Sequence, residues 1–122
     1  MVSVIIPTYN GEKTILRAID SVLNQVVDVE ILVCDDCSTD KTHEFVVWAC
    51  DKLYSEIYFY ENDKHTGGPN AGRNLGIKHA TGDYVAFLDQ DDEWLPGKLR
   101  KQLAEVKDGT ELISSRPIIK LA

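Results

Sequence analysis

Apolar residues fall into four short runs along the chain, and segments with helical spacing separate them. The runs are rich in β-branched or aromatic residues and lack strict alternation, so each predicts a strand buried on both faces. They cover Val2–Pro7, Val29–Cys34, Ile57–Tyr60 and Tyr84–Leu88. Strands that alternate with helices in this way predict an α/β domain with a Rossmann-like, doubly wound, mainly parallel sheet flanked by helices.

Between the runs, apolar positions recur every three or four residues, which predicts amphipathic helices. The first helix is expected from Glu12 onward. Its apolar face would comprise Ile15, Ile19, Val22, Leu23 and Val26. Ser38 or Asp40 could cap a second helix. A third is expected over Ala71–Ala80, and Pro96 suits the first turn of a fourth.

Length and charge limit the class of protein. A chain of 122 residues is sufficient for one domain with its own core. A net charge of −7 argues against nucleic acid as a partner, because binding a phosphate backbone needs a basic surface. The apolar runs are too short to span a bilayer, and the first residues lack the features of a signal peptide. We therefore expect a cytoplasmic protein with no transmembrane segment.

Three cysteines raise the question of a metal or redox site. Cys34 and Cys37 form a C-x-x-C pair, which His43 and Cys50 follow. A zinc site is one interpretation. We favour two unrelated thiols, because Cys34 ends an apolar run, Cys37 falls in a turn, and the sequence has no second C-x-x-C pair.

Polar residues follow three of the predicted strands at the point where each strand ends. These clusters are Thr8–Asn10, Asp35–Asp36 and Asp89–Asp92. Ligands of doubly wound sheets bind beyond the carboxyl ends of the strands, so we expect the three clusters to meet at one edge. Carboxylates of Asp89 and Asp91 could there supply oxygen ligands to Mg²⁺ or Mn²⁺. The alternative is that Asp91 or Asp92 only caps the helix near Pro96.

A glycine-rich segment, residues 67–74, leads into the third predicted helix. A helix N-terminus attracts anions, and Arg73 could donate to a phosphate through its guanidinium. The segment is neither a Walker motif nor G-x-G-x-x-G. Taken alone, it would be a loop followed by an arginine on a solvated helix face.

Four segments in order resemble a known family. They read SVIIPTYN, DDCSTD, GGPNAGRNLGIKHATGDYVAFLDQDDEW and LPGKL. Together they are similar to the nucleotide-binding half of family 2 inverting glycosyltransferases, which have the GT-A type fold. The resemblance covers residues 1–107, which are interpreted as a domain for the nucleotide-sugar donor. Residues 108–122, with a possible short strand at Glu111–Ser114, would be a short C-terminal extension, truncated relative to a full glycosyltransferase.

The resemblance implies roles for individual residues. The donor-binding residues would be Pro7, Thr8, Tyr9, Asp36, Arg73 and Asp89. Pro7, Thr8 and Tyr9 would border the nucleobase, and Asp36 would accept a hydrogen bond from uracil. Its neighbour Asp35 would serve the same pocket or only orient the turn.

The same resemblance implies a metal-bound diphosphate. Asp89-Gln90-Asp91 is similar to the DxD motif of these enzymes. Asp91 would ligate Mg²⁺ or Mn²⁺, Asp89 would contact the ribose or the metal's water shell, and Arg73 would approach the diphosphate. Trp94 would either cover the donor pocket or anchor the acidic turn.

The activity implied is metal-dependent transfer of a sugar from a UDP-sugar to an acceptor hydroxyl with inversion, in cell-surface polysaccharide or glycolipid synthesis. The acceptor would be a carbohydrate or a lipid-linked one, at the inner face of the membrane in a longer parent protein. The alternative is a nucleotide-sugar-binding module without catalysis. A receiver or a haloacid-dehalogenase-like phosphatase fits poorly, because the first strand ends in PTYN.

The general base of such an enzyme has no recognisable motif in this chain. Glu111 is the only carboxylate beyond Asp108, and the residues around it do not resemble the family's base motif. The catalytic base therefore stays unassigned, and we expect weak or absent transferase activity from these residues alone. An apolar sheet edge left uncovered would also favour a homo-oligomer.

Overall fold

The computed structural model describes residues 1–53, 56–105 and, as backbone only, 118–120. Nine elements follow one another along these residues. They are β1 (Val2–Thr8), α1 (Ile15–Leu23), β2 (Val29–Asp35), α2 (Thr42–Lys52), β3 (Ile57–Glu61), α3 (Asn70–His79), β4 (Tyr84–Phe87), α4 (Lys98–Glu105) and β5 (Ile118–Lys120). The four predicted strands and their alternation with helices are confirmed. The predicted strand at Glu111–Ser114 lies outside the described residues.

The strands form one sheet in the order β3-β2-β1-β4-β5. Neighbours among the first four are parallel, and β5 runs antiparallel to β4. The chain moves outward from β1 to β2 and β3, and then returns to the other side of β1 with β4. The strand order therefore reverses between β1 and β4, and such a reversal opens a crevice at the carboxyl ends of the two strands.

Helices cover both faces of the sheet. On β1, Val4 and Ile6 pack into a core that includes Ile15 and Ile19 of α1, whereas Ile5 belongs to a second cluster on the opposite face. All of these side chains are fully buried. Burial on both faces explains why the strands are continuous apolar runs rather than alternating ones.

Two glycines bring α3 close to the sheet. A Cβ added to Gly76 would lie 2.5 Å from Ile5 Cγ2, and one added to Gly72 would lie 3.2 Å from the Cys34 oxygen and from Pro7 Cβ. The absence of side chains at these two positions lets the helix rest directly on β1 and β2. The N-terminal end of α3 therefore lies beside the carboxyl ends of both strands.

Helix α1 is shorter than the spacing predicted. The residues before it form a turn, in which the amide of Ile15 donates to the Gly11 oxygen at 2.9 Å. The helix ends at Leu23, with Asn24 as its C-cap. The assignment of Val26 to the apolar face is wrong, because Val26 lies beyond the helix and 74% of it is exposed.

Buried polar residues of α1 and the residues after it hold the segment that follows β4. Ser21 Oγ accepts from the amide of Trp94 at 3.1 Å, and Gln25 Nε2 donates to the Leu95 oxygen at 3.0 Å. Trp94 is itself buried in the main core. Of the two roles considered for Trp94, the structure favours anchoring of the acidic turn. Helix α4 then begins at Lys98, two residues after Pro96.

Across the described residues, every helix is too short or too polar to cross a bilayer.

Candidate functional site

A cavity of about 400 Å³ opens at the carboxyl ends of β1, β2 and β4, where the strand order reverses. It is lined by Pro7, Thr8, Tyr9, Cys34, Asp36, His65, Gly67, Gly68, Pro69, Gly72, Asp89 and Gln90. Five of the six residues predicted to bind the donor thus face one space, although the chain separates them widely. Arg73 and Asp91 are not part of the lining.

Gln90 joins the acidic turn to the loop after β1. Its Oε1 accepts from the Tyr9 amide at 2.7 Å, and its Nε2 donates to the Tyr9 oxygen at 2.8 Å. A Cβ on Gly11 would lie 2.6 Å from Gln90 Oε1, so the glycine leaves space for this side chain. The two loops at the reversal point of the sheet are therefore held in register by one amide side chain.

The Asp36 carboxylate lies at the centre of a network formed by residues 62–67. Its Oδ1 accepts from Asn62 Nδ2 at 2.7 Å, from Thr66 Oγ1 at 2.9 Å and from the Thr66 amide at 3.0 Å. Its Oδ2 accepts from the Gly67 amide at 3.0 Å and lies 2.9 Å from His65 Nδ1. Asp36 thus ties this loop, which enters α3, to the end of β2.

These hydrogen bonds set the charge state of Asp36. Burial alone would raise the pKa of this carboxyl group, but donation from Asn62, Gly67 and Thr66 outweighs burial and lowers the pKa to about 2. Asp36 is therefore ionised at neutral pH although it is almost inaccessible to solvent.

His65 connects Tyr9 to Asp36. The centroids of the His65 and Tyr9 rings lie 4.5 Å apart, with 36° between the ring planes. His65 Nδ1 also lies 3.0 Å from the Asp36 backbone oxygen. His65 lies in the cavity wall, and half of its side-chain surface is exposed.

Asp35 has a different role from its neighbour. Its carboxylate accepts from the amide and hydroxyl of Ser38, so it orients the turn after β2. Asn10 links this turn to the loop after β1, because its amide donates to Ser38 Oγ and its Oδ1 accepts from the Thr39 amide. Both Asn10 and Cys37 adopt positive φ, at 47° and 64°. The hydrogen bonds of Asn10 to Ser38 and Thr39 therefore hold the loop after β1 against the turn after β2.

The two cysteines of the C-x-x-C pair have separate environments. Cys34 is fully buried in β2, and burial raises the pKa of its thiol to about 12. The Cys37 thiol donates to the Asn62 oxygen at 3.2 Å. A thiol that stays protonated is a poor metal ligand, because metals bind the thiolate.

Arg73 extends from the first turn of α3 toward the acidic turn. Its Nη2 lies 4.0 Å from Asp89 Oδ1, and its guanidinium carbon lies 5.7 Å from the centroid of the Phe87 ring. Its Nε is buried and has no hydrogen-bond partner among the described residues. A buried donor without a partner is costly. The rest of the guanidinium is partly exposed and can donate to an incoming acceptor.

The acidic turn is partly compensated by α1. Arg17 Nη2 donates to the Asp91 backbone oxygen at 3.4 Å, and its Nε lies 4.0 Å from Glu93 Oε1. The Asp91 carboxylate is exposed, and it forms no hydrogen bond or ion pair with the residues that the structure describes. Within the same residues, no three His, Cys, Asp or Glu side chains converge on a metal position.

A larger cavity, of about 850 Å³, follows the loop and helix after the acidic turn. Residues between Asp92 and Glu105 line it. It shares no lining residue with the cavity at the strand ends. None of the residues predicted for the donor or the metal lies there.

An α/β sheet with its cavity at the reversal point of the strands is typical of nucleotide-binding proteins. The sequence profile of glycosyl transferase family 2 matches residues 3–120. The chain belongs to this family.

A relative and two solved structures agree with this assignment. The UDP-Glc:alpha-D-GlcNAc-diphosphoundecaprenol beta-1,3-glucosyltransferase WfgD of Escherichia coli is 43% identical over 105 residues, which are 85% of this chain and 40% of WfgD. S. aureus TarS 1–349 in complex with UDP-GlcNAc superposes with a TM-score of 0.77 at 36% identity, over 84% of this chain and 30% of that chain. The fold is therefore of the GT-A type.

The second structure is the mannosyltransferase PcManGT of Pyrobaculum calidifontis in complex with GDP-Man and Mn²⁺. It superposes with a TM-score of 0.71 at 32% identity, over 84% of this chain and 30% of that chain. The chain thus spans less than half the length of each of these three proteins.

Proposed function

We propose that this chain binds the nucleotide-sugar donor of a glycosyltransferase, and that the donor is a UDP-sugar. The observation that carries the proposal is the cavity at the reversal point of the sheet, which gathers Pro7, Thr8, Tyr9, Asp36 and Asp89. TarS, bound to UDP-GlcNAc, and WfgD, named for UDP-Glc, support uridine as the nucleoside.

The two ends of the donor are proposed to contact different residues of the site. Tyr9 and His65 present aromatic surface at one wall, which suits a nucleobase. Arg73 lies beside the cavity with a partly exposed guanidinium, which suits a diphosphate oxygen. Asp89, which lines the cavity and lies 4.0 Å from Arg73 Nη2, suits the ribose or the water shell of a metal.

A divalent cation fits the donor set at the acidic turn. Asp91 offers an exposed carboxylate, and hard cations such as Mg²⁺ and Mn²⁺ take few protein ligands and complete their shell with phosphate oxygens and water. When bound, such an ion would neutralise the charge that grows on the departing diphosphate. We propose Asp91 as its ligand. Mn²⁺ in the PcManGT complex supports this choice.

The residues of the chain would then act as follows. The cavity walls hold the base, so that the sugar carbon is presented to the acceptor from one side. Arg73 donates to the diphosphate more strongly as its charge increases during bond cleavage, which stabilises the transition state. Attack by the acceptor hydroxyl from the face opposite the diphosphate inverts the anomeric carbon. The base that removes the hydroxyl proton is not among the residues assigned here.

The acceptor of the parent protein is proposed to be lipid-linked, since WfgD is named for an acceptor joined to diphosphoundecaprenol. Such an acceptor would place the reaction at a membrane surface. The reaction would then serve the synthesis of cell-surface polysaccharide or glycolipid.

Calorimetric titration with UDP tests the donor site. The 122-residue chain should bind UDP with Mn²⁺ and bind it at least about tenfold more weakly with EDTA. Asp91→Asn should remove the effect of Mn²⁺, whereas Asp92→Asn, one residue further along the same turn, should retain it. A chain that melts cooperatively and yet binds no UDP would contradict the proposal. Release of glucose from UDP-glucose separates a catalytic chain from a binding module.

A further inference from the structure

Phe87, the last residue of β4, supports the guanidinium of Arg73. The guanidinium carbon lies over the Phe87 ring, 5.7 Å from its centroid, which is within the range of a cation–π contact. The two residues belong to different elements, since Arg73 lies in the first turn of α3. Phe87 itself does not line the cavity at the strand ends.

Polar contacts do not fix the orientation of the guanidinium within the part of the chain that the structure describes. Arg73 Nη2 lies 4.0 Å from Asp89 Oδ1, which is too far for a hydrogen bond. Arg73 Nε is buried and has no hydrogen-bond partner among the described residues. Because an arginine side chain has several rotatable bonds, a loosely held guanidinium would adopt many orientations. Contact with the Phe87 ring limits them.

Both ends of this contact are anchored in regular elements of the fold. Phe87 pairs with Ile5 in the register of β4 with β1, and it packs against the buried cluster that includes Ile5 and Leu32. The Arg73 amide donates to the Pro69 oxygen at 3.0 Å at the start of α3. The position of the ring is thus set by the sheet, and the origin of the arginine side chain is set by the helix.

An aromatic ring orients a guanidinium without using its hydrogen-bonding capacity. A carboxylate partner would accept from the N–H groups and neutralise the charge. The face of a ring attracts the cation through its quadrupole and takes no N–H group away from other acceptors. Since 37% of the Arg73 side chain is exposed, a phosphate can reach the remaining donors.

We infer that Phe87 is a positioning residue for the diphosphate of the donor, because its ring holds the Arg73 guanidinium ready to donate to phosphate oxygens. Phe87 acts through Arg73 and not by touching the donor. This inference rests on the proposed UDP-sugar site, and it adds to that site a residue outside the cavity lining.

The test compares UDP with uridine by calorimetry in the presence of Mn²⁺, because only UDP carries phosphates. Phe87→Leu keeps an apolar side chain against the core but has no ring. UDP should bind this variant about fivefold more weakly, while the affinity for uridine is unchanged. Phe87→Tyr keeps the ring and should restore the affinity for UDP. Tyr84→Leu, which removes an aromatic ring from the other end of β4, is the matched control and should bind both ligands as the wild type does.

A double variant separates positioning from a general effect on the fold. In an Arg73→Ala background, Phe87→Leu should cause no further loss of UDP affinity, since both changes remove the same contact. Phe87→Met is a second variant without a ring, for use if Phe87→Leu does not melt cooperatively, and it should show the same selective loss.

Three outcomes would overturn the inference. An equal loss for UDP and uridine, or a loss that recurs in the Arg73→Ala background, would mean that the ring acts only through the fold. Unchanged UDP affinity in the variants without a ring would mean that Arg73 needs no support, and the donor site would stand. If the wild-type chain binds neither ligand, the proposed function fails and the inference fails with it.

Discussion

Gln90 and Tyr9 are joined by two hydrogen bonds across 81 positions of sequence. The side-chain amide of Gln90 accepts from the Tyr9 backbone N–H and donates to the Tyr9 backbone C=O, so both polar groups of the Tyr9 backbone have a partner. Gln90 is the middle residue of the Asp89-Gln90-Asp91 motif. The residue between the two aspartates therefore fixes the distance from the proposed metal and diphosphate end of the cavity to its nucleobase end.

Gln90→Ala should weaken UDP binding by about tenfold, because the Tyr9 backbone would lose two hydrogen bonds and the two loops could separate. Gln90→Glu should weaken it too, since a carboxylate can accept from the Tyr9 amide but cannot donate to its oxygen. Calorimetry with Mn²⁺ measures both. Glu93→Gln, three residues further along the chain, is the control and should bind as the wild type does. Unchanged affinity in Gln90→Ala would exclude this coupling.

Arg73 should distinguish nucleoside diphosphate from uridine. Arg73→Ala removes the buried Nε and the charge beside Asp89, so UDP should bind about tenfold or more weakly while uridine binds as before. Arg73→Lys should recover only part of the loss, because an ammonium group cannot reproduce the guanidinium fork. Lys78→Ala, on the exposed side of the same helix, is the control. Equal losses for UDP and uridine would show that Arg73 does not act on the phosphates.

Because α3 packs closely on β1, a side chain added at Gly76, which does not line the cavity, should destabilise the fold. In Gly76→Ala the new methyl group would overlap Ile5, whose nearest atom would be 2.5 Å away. The helix or the strand must shift, and the free energy of unfolding should fall by about 1–3 kcal/mol. Chemical denaturation provides the measurement, with Gly68→Ala as control because a Cβ there meets no atom within 4 Å. A fall of similar size in Gly68→Ala would show that packing is not the cause.

Glu30 predicts a pH-dependent stability at the opposite end of the sheet. This buried carboxylate accepts from Ser3 Oγ, from the Thr81 amide at 2.7 Å and from Thr81 Oγ1 at 2.9 Å. Burial alone would raise its pKa, but donation from Ser3, Thr81 and Gly82 lowers the pKa below its ordinary value of 4.5. The ionised form therefore stabilises the fold above pH 4.5, and this contribution is lost as the pH falls through the lowered pKa.

Glu30→Gln should accordingly reduce the free energy of unfolding at pH 7 by about 1–3 kcal/mol. The difference from the wild type should shrink as the pH is lowered below 4.5, because the wild-type carboxyl then becomes neutral. Urea denaturation across this pH range tests both statements. Glu56→Gln, which alters an exposed residue, should have no such effect. A difference between Glu30→Gln and wild type that is independent of pH would contradict the assignment.

The strands could be predicted from the sequence because their burial on both faces leaves continuous apolar runs. The meeting of Tyr9, Asp36 and Asp89 at one edge followed from the rule for ligands of doubly wound sheets. Prediction was less accurate at the end of α1, where Val26 continues the apolar spacing although the helix has already ended. Periodicity alone does not locate the end of a helix.

The contacts of His65 and Gln90 were beyond prediction from the sequence. Each depends on where two loops lie relative to one another, which neither loop encodes alone. His65 precedes the glycine-rich segment in a stretch of no regular pattern, and the sequence shows Gln90 only as the residue between two aspartates. The Asp36 network likewise depends on Thr66 and Asn62, whose residue types are common in any loop.

A crystal structure of the chain with UDP and Mn²⁺ would show whether the cavity at the reversal point of the sheet is the donor site. We expect uracil beside Tyr9 and His65, the diphosphate within hydrogen-bond distance of the Arg73 guanidinium, and the ion on Asp91. UDP bound in the larger cavity along α4, or anywhere outside the cavity at the strand ends, would contradict this expectation.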